Sequence, residues 1–167
     1  MVELSALIQA RTSLPWTPWP SLNDTPLCLH AAYRACELLA TVGWLTAARK
    51  APFQAGMPPL TSRKTELPFV TLDKREGDHD RISYRDYAVS TGRLQWPTQN
   101  SAGDNTPGGR RYLDSPGNGW QFHLFLRPRK GAACRARSLV VLETVDGDRP
   151  MSMVWRLATP LPSRMFR

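Results

Sequence analysis

What this sequence does without narrows its chemistry more than what it contains. No apolar run approaches the ~20 residues needed to cross a bilayer. The opening MVELSALIQARTS carries Glu3 and no basic stretch ahead of a sustained apolar core, which speaks against a secretory signal. A cytoplasmic protein is expected. Cys28, Cys36 and Cys134 are an odd set at wide spacing, so neither a disulfide framework nor a zinc ribbon fits them. His30, His79 and His123 stand apart and form no HxH or HExxH pair, and no metal or other cofactor is expected. There is no GxSxG elbow, P-loop or dinucleotide fingerprint. Asp73, Lys74, Glu76 and Asp86 match the composition of a metal-dependent nuclease, but such sets also arise by chance on a charged β-surface. A protein that is not an enzyme is expected.

Acid is also missing from the stretch where base is densest. Residues 127–137, RPRKGAACRAR, hold five basic residues and no acid, in a chain of net charge +8. Basic stripes bind nucleic acid or anionic lipid. No segment couples this charge to a strong amphipathic helix, which disfavours a membrane. Arg127, Arg129, Lys130, Arg135 and Arg137 are therefore expected to hold the phosphates of duplex DNA, with a merely solvated turn as the plainer alternative.

At 167 residues the chain has the length of one domain. Residues 14–26, LPWTPWPSLNDTP, contain four prolines and must run extended or turned. Residues 1–24 therefore read as a Pro/Trp-rich arm and residues 25–167 as a single recognition domain. Trp16 and Trp19 share one side of a polyproline II segment, whose period is three. They pack on the domain's own surface or anchor a partner; the first reading is preferred. At Thr25-Pro26 an N-cap Thr with Pro at the first helical position predicts a helix. Leu27, Ala31, Ala35, Leu38, Leu39 and Val42 lie on its apolar face, and Gly43 stops it.

Six β-rich runs follow, at 67–72, 81–89, 92–96, 121–127, 138–145 and 151–157, separated by Gly, Asp, Asn or Pro clusters. The expected class is α+β: a small, partly closed, mostly antiparallel β-barrel with one main N-terminal helix packed on it.

Between two of these runs lies Leu94–Tyr112, LQWPTQNSAGDNTPGGRRY. It begins strand-like and ends on paired arginines and an aromatic, with Asp104 as its one acid. Loops this long are functional or disordered as a rule. Trp96 is expected to offer a stacking surface, Gln99, Asn100 and Ser101 polar contacts, Arg110 and Arg111 a phosphate grip, and Tyr112 a rim. A floppy surface loop with Trp96 in the core is the competing reading.

The order of motifs adds a resemblance. It runs from Tyr33-Arg34 leading to Leu38-Leu39, through VTLDK (70–74), YRDYAVS (84–90), LQWPTQNS (94–101), GGRRY (108–112) and LFLR (124–127), to RPMSMVWRL (149–157). From about Leu27 onward the chain resembles the domain of unknown function found at the C-terminus of many bacterial DEAD/DEAH-box helicases, often those with a phospholipase-D-like nuclease domain. The resemblance implies a nucleic-acid-processing context, with a helicase or nuclease as partner. By analogy of architecture with PUA and SET-and-RING-associated (SRA) barrels, it implies a reader of modified DNA, base-modified or phosphorothioate, in restriction or phage defence. The alternative is a non-catalytic scaffold that docks a helicase or nuclease through Trp16 and Trp19.

Overall fold

In chain order the elements are β1 (Ala32–Tyr33), α1 (Ala35–Thr41), β2 (Pro59–Leu60), β3 (Thr65–Glu66), β4 (Phe69–Thr71), β5 (Tyr87–Ser90), β6 (Arg93–Pro97), α2 (Pro107–Leu113), β7 (Gln121–Arg127), β8 (Cys134–Asp146) and β9 (Ser152–Leu157). They come from a computed structural model that describes residues 22–46, 58–71, 87–98, 102–129 and 131–161. Among the described residues no helix is long and apolar enough to cross a membrane.

β7 takes the middle of the sheet because QFHLFLR leaves no polar face: Phe122 through Leu126 are all buried. Phe122, Leu124 and Leu126 join one core, while Phe125 belongs to the other and stacks on Phe69 with ring centroids 5.2 Å apart. A strand covered on both faces reads as a continuous apolar run. One edge of β7 pairs in parallel with β3 and β4, the other antiparallel with β8. Register shifts opposite Leu124/Phe125 and at Leu142/Thr144 interrupt β8, which passes from β7 to β9 along its length. Bulges of this kind bend a strand and raise its twist. β9, β6 and β5 finish the sheet as an antiparallel meander. Leu94 opposes Trp155 and Trp96 opposes Met153, and the two-residue period puts all four on the buried face.

The strand-rich α+β character is as expected, but the barrel is not. The order β2-β3-β7-β8-β9-β6-β5 is an open path, and its end strands do not pair with each other. Closure needs an end strand able to accept a partner along its length, and here the path ends in the two-residue β2. The sheet is also mixed, through the parallel pairs of β7.

The helix expected over Thr25–Gly43 is shorter. Thr25 does not cap it: its Oγ1 donates to the Leu22 carbonyl at 2.6 Å, inside a turn. Residues 30–33 instead give their backbone to β8. His30 N donates to Ala136 O at 2.8 Å, Ala136 N donates to Ala31 O at 3.1 Å, and Tyr33 pairs with Cys134. Sheet pairing overrides a weak local preference. The helix begins only at Ala35, where the Glu37 carboxylate accepts the Arg34 N–H at 3.1 Å. It ends as expected, with Gly43 in the left-handed region at φ 77 and Trp44 N donating to Leu39 O at 2.8 Å. Seven residues cannot sustain a helix alone. Burial of Leu38, Leu39 and Val42 against the second core, about 1.5–3 kcal/mol for each fully buried side chain, holds it.

The segment 94–112, expected to begin strand-like and continue as a loop, contains most of β6 and a helix. The capping signal misplaced at Thr25-Pro26 is fulfilled at Thr106-Pro107: Thr106 Oγ1 accepts the Gly109 N–H at 3.0 Å, and Pro107 opens α2.

The two glycines of α2 differ in their surroundings. A Cβ at Gly109 would overlap the Gly103 carbonyl, whereas one at Gly108 meets nothing closer than 3.8 Å. Gly108→Ala is expected to stabilise the fold by about 0.5 kcal/mol through helix propensity. Gly109→Ala is expected to cost about 1–3 kcal/mol through overpacking. Urea denaturation of the two variants reads the signs; equal effects would mean that the contact between Gly103 and Gly109 is not what sets α2 against the sheet.

Candidate nucleic-acid interface

Two groups of residues were expected to meet DNA, and the structure places them apart. The first group surrounds α2. Thr98 N donates to Met151 O at 2.8 Å, and Thr98 Oγ1 accepts from Met151 N at 2.8 Å while donating to Ala102 O at 2.9 Å. Asp104 N donates to Asp148 Oδ1 at 2.9 Å. The described parts of the polar segment are thus tied to the turn between β8 and β9. Gln99, Asn100 and Ser101 lie outside the described residues.

α2 turns Tyr112 inward, where its ring meets Phe122 and Trp155 at centroid distances of 5.6 and 6.1 Å. Its hydroxyl donates to Glu66 Oε1 at 2.7 Å, and Arg111 Nε donates to Glu66 Oε2 at 3.1 Å. The Arg111 guanidinium also lies 5.1 Å from the centroid of Trp120. Glu66 is 1% exposed. Burial pushes its carboxyl above the usual glutamate range, against the opposite pull of Tyr112 and Arg111. Burial and the Glu66 charge together push the Tyr112 hydroxyl above its ordinary value.

Trp96 and Tyr112, expected as a stacking surface and a rim, are core residues at 8% and 4% exposure. The strand period that carries Leu94 inward carries Trp96 with it. Arg111 serves Glu66, and Arg110 stays exposed on α2. Glu66 and Trp120 went unnoticed in the sequence. A lone acid ahead of an apolar LPFV run is the only local trace of the first.

The second group sits on the turn between β7 and β8. Arg127 is half-buried and its Nε donates to Thr71 Oγ1 at 2.8 Å; Arg129 and Arg135 are exposed. Arg137, at the residue that the register shift leaves without an opposite number, is 9% exposed. Lys130 lies outside the described residues. Arg127, the last residue of β7, and Arg135, the second of β8, thus flank the turn that holds Arg129, a turn shaped by Gly131 at φ 80 and by Ala132 N donating to Arg129 O. The strand expected from 138 begins earlier, since Cys134 through Arg137 already belong to β8.

β8 runs between the basic turn and an acidic end. Its 13 residues, at about 3.3 Å each, place its two ends up to about 40 Å apart, and the Glu66 group lies between them, where Glu66 pairs with Phe122 and Phe122 with Val140. The far end carries exposed Asp104, Asp146 and Asp148, with Arg149 pairing to Asp148 at 3.8 Å. The turn between β7 and β8 has no acid in the sequence from 127 to 137. Acid thus outnumbers base at the far end, and base is concentrated in the sequence at the turn.

Residues 27–167 match the family described as Domain of unknown function (DUF3427). The match spans most of the chain, and the chain belongs to that family. No curated protein matches it.

The Glu66 cluster carries a prediction of its own. A carboxyl that holds its proton more tightly when folded contributes stability in full below the ordinary glutamate range, and that contribution is lost as the pH rises through the raised value. Wild type is therefore expected to lose stability relative to Glu66→Gln as the pH rises above the ordinary glutamate value of about 4.3. Glu66→Leu leaves the Tyr112 hydroxyl and Arg111 facing an apolar side chain, and is expected to cost about 3–5 kcal/mol. Denaturant midpoints across pH check both; parallel profiles for wild type and Glu66→Gln would mean that burial does not perturb the carboxyl.

Proposed function

We propose that this member of the DUF3427 family is a non-catalytic DNA-binding module whose turn between β7 and β8 grips backbone phosphates, serving a helicase or nuclease in restriction or phage defence. The observation that carries it is the acid-free basic cluster of Arg127, Arg129 and Arg135 on one turn. Among the described residues no carboxylate forms an ion pair with Arg129 or Arg135, so both guanidinium groups are available to phosphate. Phosphate contacts position a protein on a duplex without reading sequence.

Reading of a modified base was expected at Trp96. A base cannot stack there without unpacking the core, since Trp96 packs in the same cluster as Met153 and Trp155. The DNA contact proposed is therefore to the backbone, and discrimination of modified from unmodified DNA has lost its stacking surface. The scaffold alternative has its anchors, Trp16 and Trp19, outside the described residues.

The test is binding of the full chain to short duplexes across salt. Contacts from Arg127, Arg129, Lys130 and Arg135 are expected to give a slope of log K against log salt of about −3.6. The double variant Arg129→Ala/Arg135→Ala should weaken binding alike for all sequences and flatten the slope by about 2. Arg110→Ala, exposed on α2 and outside the turn, should leave the slope in place. Loss confined to one sequence, or an equal loss with Arg110→Ala, would move the contact away from this turn.

A further inference from the structure

We infer that His30 is part of the anion site at the turn between β7 and β8, so that the polyanion is bound together with one proton; this rests on the DNA-binding reading above. His30 falls within the helix that the sequence predicts from Thr25-Pro26 to Gly43. The structure places it on the edge of β8 instead. His30 N donates to Ala136 O at 2.8 Å, and Arg135 Nη1 lies 3.5 Å from the His30 carbonyl. Its backbone is in the left-handed region at φ 66, which non-glycine residues seldom adopt and which His tolerates better than most. The side chain is exposed.

The charged groups around it are mostly of one sign. From β8 come Arg135 and Arg137. From its own side of the chain come Arg34 and Glu37, the latter engaged with the Arg34 N–H. Partial desolvation, and after it the positive charge of Arg137, hold the His30 imidazole below the usual histidine range. A phosphate lodged beside Arg135 reverses the local field. The imidazolium is then favoured, and the imidazole gains a charge that the site lacks when empty. Binding free energies are reciprocal: whatever factor protonation adds to anion affinity, the anion adds to proton affinity. Affinity therefore rises as the pH falls through the value at which bound His30 takes up its proton, and levels off below the value for the free protein.

The full chain is titrated with a short duplex at several salt concentrations, at about pH 8 and about pH 5.5, which bracket the histidine range. Wild type is expected to bind about fivefold more tightly at the lower pH, with a salt slope steeper by about 0.9 for the added cation. His30→Asn, a residue that accepts the same left-handed backbone, is expected to lose both gains. A His30→Asn protein that keeps them places the proton elsewhere and overturns the inference, as does wild-type binding that ignores pH. In wild type the imidazole proton resonance of His30 gives a second reading: its titration midpoint should move up when duplex is added, and an unmoved midpoint also overturns the inference. No binding at either pH, even at low salt, is a different result, because it takes down the DNA-binding reading itself.

Discussion

A carboxylate cannot be taken out of water cheaply, and the arrangement of one whole face of this sheet follows from how Glu66 meets that demand. An uncompensated buried charge costs several kcal/mol. Glu66 is compensated twice, by the Tyr112 hydroxyl and by Arg111, both from α2. Those two donors lie one residue apart on the helix, so satisfying both leaves α2 little rotational freedom. With α2 set, Tyr112 fills the space between Phe122 and Trp155, and Gly109 comes hard against Gly103. The described parts of the polar segment before α2, tied back by Thr98 and Asp104, become framework.

This framework redirects the functional reading. Aromatic and arginine side chains near a glycine-rich stretch suggest a grip on nucleic acid when only their order is known. Here the same side chains close a core and neutralise an internal acid. What remains for a polyanion is the other end of β8, where the chain turns back through Arg127, Arg129 and Arg135 and where the edge segment around His30 is laid alongside. A long strand thus acts as a spacer between an acidic end and a basic one, and under the DNA-binding proposal the direction of the field, more than any one contact, selects the face that would meet a polyanion.

The same dipeptide occurs twice with opposite outcomes. Thr-Pro at 25–26 and at 106–107 carries one local message, an N-cap followed by a residue suited to the first helical turn. Only the second is obeyed, although two glycines, poor helix formers, follow it. After Pro26 the backbone has a better use, because the edge of β8 beside Cys134 to Ala136 has donors and acceptors to satisfy, and residues 30–33 satisfy them. After Pro107 the helix brings Tyr112 and Arg111 to Glu66. In both places a distant partner decides between two locally acceptable conformations.

The sequence by itself determined the features that depend on near neighbours. The runs at 121–127 and 151–157 and the strand ending at Trp96 were legible because their patterns of burial are patterns of composition. The stop at Gly43 was legible because a left-handed cap favours glycine. The basic character of 127–137 needed only counting. Tertiary structure alone decided that the sheet stays open, that β2 and β3 exist, that Tyr112 faces inward, and that the His30 carbonyl lies against Arg135. Two-residue strands have no period to read. Glu66 and Tyr112 are 46 residues apart in the chain and 2.7 Å apart in space. A contact of that kind leaves no trace in the spacing of either residue's neighbours, because the force that selects it is the desolvation of a charge, which arises only when the rest of the core has closed around it.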